Sequence, residues 1–215
     1  MKSFKAGMLC IGAYFLCSCA PSHSGQTLQQ VVQKSDSAIV VETIMSRRSI
    51  RKYKPQPVER EKMEVIVNCG INAPNGQNLQ SWEVRVVSNQ DFLNGITEVF
   101  KKENATAAED PSFRNMFRNA PTVVFIANNP EYDLSRIDCG LLGENMILSA
   151  WSMGIGSVCL GSPVRFMNTV PAAREYLERL EFSEGYELLY CIGFGYPDET
   201  PAAKPRNQEK VMFID

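Results

Sequence analysis

Residues 46–53 read Ser-Arg-Arg-Ser-Ile-Arg-Lys-Tyr, placing four cations and two serine hydroxyls within eight residues. Arg47, Arg48 and Arg51 carry guanidinium forks whose paired N–H groups match the oxygens of a phosphate, and Ser49 adds a neutral donor. A basic run of this kind is also what a solvated helix end looks like, because cations sit favourably beside unpaired C-terminal carbonyls. A second basic pair, Lys204-Pro205-Arg206, stands near the other end of the chain. The formal net charge of −2 argues against nucleic-acid binding, which normally brings a strong basic excess. Local cationic clusters in a mildly acidic chain point instead to a small anionic ligand.

Two further stretches have the right residue types for ligand contact. Pro74-Asn75-Gly76-Gln77-Asn78-Leu79-Gln80-Ser81-Trp82 is rich in side-chain amides, which can donate and accept, although Asn-Gly is a turn signal in its own right. Residues 154–162, Gly-Ile-Gly-Ser-Val-Cys-Leu-Gly-Ser, lack the third glycine spacing of a dinucleotide fingerprint. Asp138, Glu144 and Asn145 read as hydrogen-bonding partners within a helix. The single histidine, His23, lies near the N-terminus, so no histidine triad or metal cluster can be assembled.

The basic cluster, the loop at 74–82 and the C-terminal Lys-Pro-Arg together resemble the nitroreductase family of FMN flavoproteins, from about residue 37 to the C-terminus. The resemblance implies an α+β fold with a central, mostly antiparallel sheet flanked by helices, in an intertwined homodimer whose C-terminal extensions cross to the partner. It puts Arg47, Ser49 and Arg51 on the FMN phosphate and ribityl chain, Arg48 towards the flavin, and Lys204 and Arg206 over the same phosphate. Pro74, Asn75, Gly76 and Asn78 would edge the isoalloxazine ring from the partner subunit. Cys159, Leu160 and Gly161 would pass close to the ring, with a backbone N–H near Gly161 approaching N5. Ser81 stands where the family usually has proline before the tryptophan, which predicts a less rigid loop. The activity implied is reduction of nitro compounds, quinones or similar electron-poor acceptors with NAD(P)H, in a ping-pong sequence in which the flavin supplies the chemistry. Two alternatives remain open: a divergent branch such as a flavin dehalogenase, with a lid housed in residues 103–118, and a tethered flavin-binding protein that relays electrons.

The elements that must position these residues follow from periodicity. Helices are predicted over residues 37–45, 59–71, 91–101 and 137–153, and another inside 164–180 that starts near Pro171. Strands are predicted over 82–88, 121–127, 157–160 and 186–194, the second buried on both faces. Residues 195–215 hold Pro197, Pro201 and Pro205 and must drape over other structure. With 215 residues, 44% hydrophobic, the chain makes one well-filled domain.

Lys2 and Lys5 before an apolar core at residues 8–16 make a signal segment, too short to span a bilayer. Leu16-Cys17-Ser18-Cys19 resembles a bacterial lipobox, with an ordinary secretory cleavage site as the alternative. The predicted organisation is a signal peptide at 1–18, a flexible tether at 19–35 and a flavin-binding domain at 36–215. The protein is thus expected to be exported and held at a membrane through lipid on Cys19. Cys69, Cys139, Cys159 and Cys191 show no paired spacing and read as buried free thiols. Trp151, on an apolar helix face, reads as core.

Overall fold

A computed structural model describes residues 35–111, 113 and 115–214. The signal segment, the lipobox and the tether up to residue 34 lie outside the described residues. The helices are α1 (Asp36–Ser46), α2 (Arg60–Ile71), α3 (Gln90–Glu103), α4 (Ala105–Glu109), α5 (Ser135–Ser152), α6 (Ser162–Thr169) and α7 (Arg174–Glu178). The strands are β1 (Trp82–Val87), β2 (Thr122–Asn128), β3 (Gly156–Leu160) and β4 (Glu187–Gly195). They form one sheet in the order β1-β2-β4-β3, with every neighbouring pair antiparallel.

β2 is central because all seven of its residues are buried. Its side chains alternate between two apolar layers. Val123 and Phe125 join Phe92, Ile96, Val164 and Phe166, so α3, α6 and α7 cover that face. Val124 and Ile126 join Met63, Ile66, Leu142 and Met146, so α2 and α5 cover the other. The α+β class and the doubly covered strand expected from the sequence are therefore what the chain adopts.

Four local expectations are refined. A helical stretch does start at Pro171, as expected, but a separate helix, α6, comes ahead of Pro171. Val170 before it is extended (φ −99°, ψ 117°), which ends α6, and the 3-10 turn Pro171–Ala173 then leads into α7. Proline disfavours helical geometry in the residue before it and is itself at home in a first turn. Trp151 is half-buried rather than core, and its indole N–H donates to Ser46 Oγ at 2.9 Å, bracketing the end of α1 to α5. Ser35 is the N-cap of α1, accepting from the Ala38 N–H at 3.3 Å, rather than the last residue of a tether. Part of the polar stretch considered as a lid is anchored, since Met116 and Phe117 are buried in the first apolar layer.

The tail runs out from β4 without regular structure beyond the 3-10 turn Gln208–Lys210. Its first residues are latched to the basic segment. Lys54 N–H donates to the Tyr196 carbonyl at 2.9 Å, and Asp198 N–H to the Lys52 carbonyl at 3.0 Å. Its end is open to solvent, with Phe213 86% and Ile214 91% exposed.

Candidate functional site

Edge strand β3 carries the basic segment. Ile50 N–H donates to the Ser157 carbonyl at 2.9 Å, Ser49 bridges Ser157 in parallel, and the Ile50 side chain is fully buried. Close packing is possible because residue 156 is glycine: a Cβ there would stand 2.6 Å from Ile50 Cγ1. With Ile50 fixed inward, Arg47, Arg48, Ser49 and Arg51 line a cleft whose opposite wall is Pro201, Ala202, Lys204 and Arg206. The two basic segments, separated by some 150 residues of sequence, thus meet in space as expected.

The cleft encloses about 120 Å³. Whole small-molecule sites run to roughly 300–1,000 Å³, so this one takes a single group of a larger ligand. Arg47 has a partial counter-charge, its Nε lying 3.8 Å from Glu144 Oε1 on α5. Arg51, Lys204 and Arg206 make no ion pair among the described residues. Arg206 Nη1 donates to the Lys204 carbonyl at 3.0 Å, folding the guanidinium back on its own tail. Arg48 Nη1 donates to the carbonyls of Met45 at 2.8 Å and Arg47 at 2.7 Å. Arg48 thus bonds carbonyls at the end of α1, as a cation at a helix end does. Cations crowded without partners repel one another, and a phosphomonoester carrying nearly two negative charges relieves that repulsion.

Sequence reasoning missed Glu199. Its carboxylate accepts from the Lys52 N–H at 3.1 Å and from the Arg51 N–H, anchoring the tail that brings Lys204 and Arg206 to the cleft. No sequence pattern marks it, since an acid between two prolines looks like any polar tail residue.

The loop before β1 is more rigid than its serine suggests. Ser81 is buried and its hydroxyl donates to Asp138 Oδ2 at 3.2 Å, while Gly76 N–H donates to Asp138 Oδ1 at 3.1 Å. Asp138 thus reaches out of α5 to pin both ends of the loop, rather than bonding within its own helix. Asn75 Oδ1 closes the loop from inside by accepting from Gln80 N–H at 3.0 Å. Gln77, Asn78 and Gln80 hold left-handed φ values of 53°, 56° and 50°. Strained backbone of this kind persists only where surrounding contacts fix it, and it gathers at ligand sites. Asn78 is exposed, and Pro74 with it. The cleft is lined by no residue of this loop. Asp138 and Glu144 are six residues apart on α5, about 9 Å along its axis. One chain therefore presents the loop and the cleft as separate features.

On β3, Leu160 is buried in the core. Gly161 is exposed, and a Cβ added there would meet no atom within 4 Å, leaving its backbone open to close approach. Cys159 is exposed, not buried, and Cys69 is intermediate; only Cys139 and Cys191 are buried thiols. Surrounding protein pushes the Cys159 thiol above its ordinary pKa, Glu144 pushes it further, and Arg47 opposes. It stays protonated at neutral pH and is a poor nucleophile.

Taken together, the two-faced antiparallel sheet and the cation-lined cleft on its edge strand define an α+β protein with a basic site at the sheet edge. The model of the Nitroreductase family matches residues 44–196. A Vibrio harveyi NADPH-flavin oxidoreductase is 28% identical over 183 residues, which cover 80% of this chain and 71% of that protein. A nitroreductase with bound FMN from Bacteroides fragilis superposes with a TM-score of 0.73 at 26% identity, covering 82% of this chain and 98% of that one. An FMN-dependent nitroreductase from Clostridium difficile gives 0.69 at 26% identity, over 81% and 98%. The chain belongs to the nitroreductase family.

Proposed function

We propose that this protein is an FMN-dependent oxidoreductase that draws electrons from NAD(P)H and passes them to small electron-poor acceptors such as nitro compounds or quinones. The observation that carries the reading is the convergence of Arg47, Arg51, Lys204 and Arg206 on one 120 Å³ cleft, in a chain of the nitroreductase family. Bound FMN supplies the hydride-accepting and hydride-donating ring. Arg47, Arg51, Lys204 and Arg206 hold its phosphate, with Ser49 as neutral donor. Gly161 leaves the main chain beside the ring free of side-chain bulk, and Asn78 offers an amide to ring edges. Protein holding FMN is expected to lose its absorbance near ~450 nm when NADH or NADPH is added without oxygen. A yellow but unresponsive protein would favour the electron-relay alternative, and one that stays colourless in excess FMN would overturn the flavin reading.

The same reading makes the protein a homodimer. No residue of α1 is buried, although Ile39, Val41, Ile44 and Met45 are apolar. Ile137 and Leu141 on α5 and residues 211–214 of the tail are exposed as well. So much uncovered apolar surface marks an interface. β1 is an edge strand, and beside it a groove of about 700 Å³ runs along α2, where Val58, Met63, Val67, Val84 and Val86 share the lining with Arg60, Glu64, Arg85 and other polar residues. An extended apolar tail from a second copy suits an open strand edge with such a floor. In that dimer the loop at 74–80 of one subunit completes the cleft of the other.

The lipobox at residues 16–19 supports export and anchoring through Cys19. Intact mass measurement of membrane-extracted protein is expected to show a lipid-modified Cys19 as the mature N-terminus, and an unmodified N-terminus would refute the anchor.

A further inference from the structure

On the other side of Arg51 lies a second cavity of about 480 Å³, large enough for a nucleotide-sized group. Arg51, Lys52 and Arg118 bring three cations to it, Tyr53 an aromatic ring, Asn119 an amide and Asp198 a single carboxylate. Neither Lys52 nor Arg118 forms an ion pair among the described residues. The wall that carries Arg118 is set in place. Asn115 Oδ1 accepts from Phe117 N–H at 2.6 Å, its Nδ2 donates to Asn94 Oδ1 at 3.2 Å, and Phe117 is fully buried. Arg118 and Asn119 both hold left-handed backbone, with φ values of 61° and 55°. Two successive non-glycine residues in that region are strained, and the buried Phe117 beside them keeps them there. The opposite wall is fixed too, because Asp198 N–H donates to the Lys52 carbonyl.

We propose that this cavity is a second phosphate-recognising site, taking the phosphorylated ribose of a nucleotide. Lys52 and Arg118, joined by Arg51, meet the phosphate oxygens. A carboxylate repels phosphate but accepts from hydroxyls, so Asp198, with the Asn119 amide, faces the sugar. Two sources carry that chemistry: the 2′-phosphorylated adenosine of NADPH, which would make the enzyme proposed above prefer NADPH to NADH, and a free nucleotide acting as effector. The first rests on the oxidoreductase reading; the site itself does not.

Calorimetric titration of the flavin-loaded, full-length protein with adenosine 2′,5′-bisphosphate tests it. Binding is expected to weaken with added salt, by at least about threefold in Lys52→Gln and about tenfold or more in Lys52→Gln with Arg118→Gln. Lys52 is exposed, so its single variant reads the site even if the strained Arg118 position tolerates change poorly. A tenfold rise in KM for NADPH with KM for NADH unchanged identifies the dinucleotide as source. Weakened binding with neither KM moved identifies a free nucleotide. No binding to the unsubstituted protein, or equal binding to the variants, overturns the proposal. Should the protein prove to hold no flavin, the Lys52 and Arg118 variants still report on this cavity, because neither residue lines the other cleft.

Discussion

Replacing Arg47 and Arg206 together by glutamine is expected to weaken FMN binding by about 10²–10⁴-fold, and flavin should separate from the protein on gel filtration. Each residue would donate charge-assisted hydrogen bonds to the same phosphate, worth roughly 1.5–3 kcal/mol apiece. Two such losses sum to about 3–6 kcal/mol, and each 1.4 kcal/mol is tenfold in affinity. The single variants should together show less than the double, because either cation can compensate in part for the other on a shared phosphate. The fold should not suffer. Arg206 is exposed and bonds only to its own tail carbonyls, and Glu144, the partner Arg47 would leave behind, is itself half exposed and keeps its water. Thermal unfolding of the flavin-free double variant is therefore expected to stay within about 1 kcal/mol of the parent, Arg206 being a surface change and Arg47, a quarter exposed, giving up one long ion pair. Fluorescence titration with FMN measures the loss. Stoichiometric flavin retained through gel filtration would show that the two basic segments do not share one phosphate.

The parts of this molecule legible in its sequence are those where local chemistry and tertiary demand agree. The run at 121–127 is β-branched and aromatic and had to be a doubly covered strand. Residues 46–51 and 204–206 were legible as a pair because uncompensated cations need an anion wherever the chain puts them. What escaped notice depends on contacts between distant segments. Asp138 looks like any polar residue on a helix until the fold sets Gly76 and Ser81 against it. Once there, it supplies the rigidity that a proline at 81 would otherwise give. Glu199 gains meaning only when the Arg51 and Lys52 amides face it. Trp151 and Cys159 were misplaced for one reason: both lie near the sheet's open β3 edge or the lightly covered end of α5, where apolar character does not guarantee cover. Pro171 is legible as a helix start, whereas α6 just ahead of it is not, because a proline that opens one helix also ends the one before it and two short helices then read as one.

Ending the chain after Arg206 is expected to convert the protein to a monomer while leaving Lys204, Arg206 and their cleft in place. Residues 211–214 are Val, Met, Phe and Ile, all at least 60% exposed in the single chain. Burying four such side chains against a second copy is worth roughly 1.5–3 kcal/mol each, and fixing their backbone costs about 1–2 kcal/mol per residue. A net gain of about 2 kcal/mol per tail, taken twice in a symmetric pair, amounts to about 10³-fold in the dimer constant. Ending the chain after Gly195 instead would confound the result. It would also remove Tyr196 from the second apolar layer and Glu199 from the Arg51 amide, destabilising the subunit itself. Phe213→Ser in the full-length chain separates the two effects, since it removes the bulkiest apolar side chain of the tail and touches nothing within its own subunit that the structure relies on. Sedimentation velocity reads the outcome. Monomer in both variants, with flavin affinity falling because the partner's loop at 74–80 no longer completes the site, is the result expected of exchanged tails. A sedimentation coefficient unchanged from the parent in both would mean that α1 and α5 hold the subunits together unaided, and that the groove beside β1 serves something other than the tail.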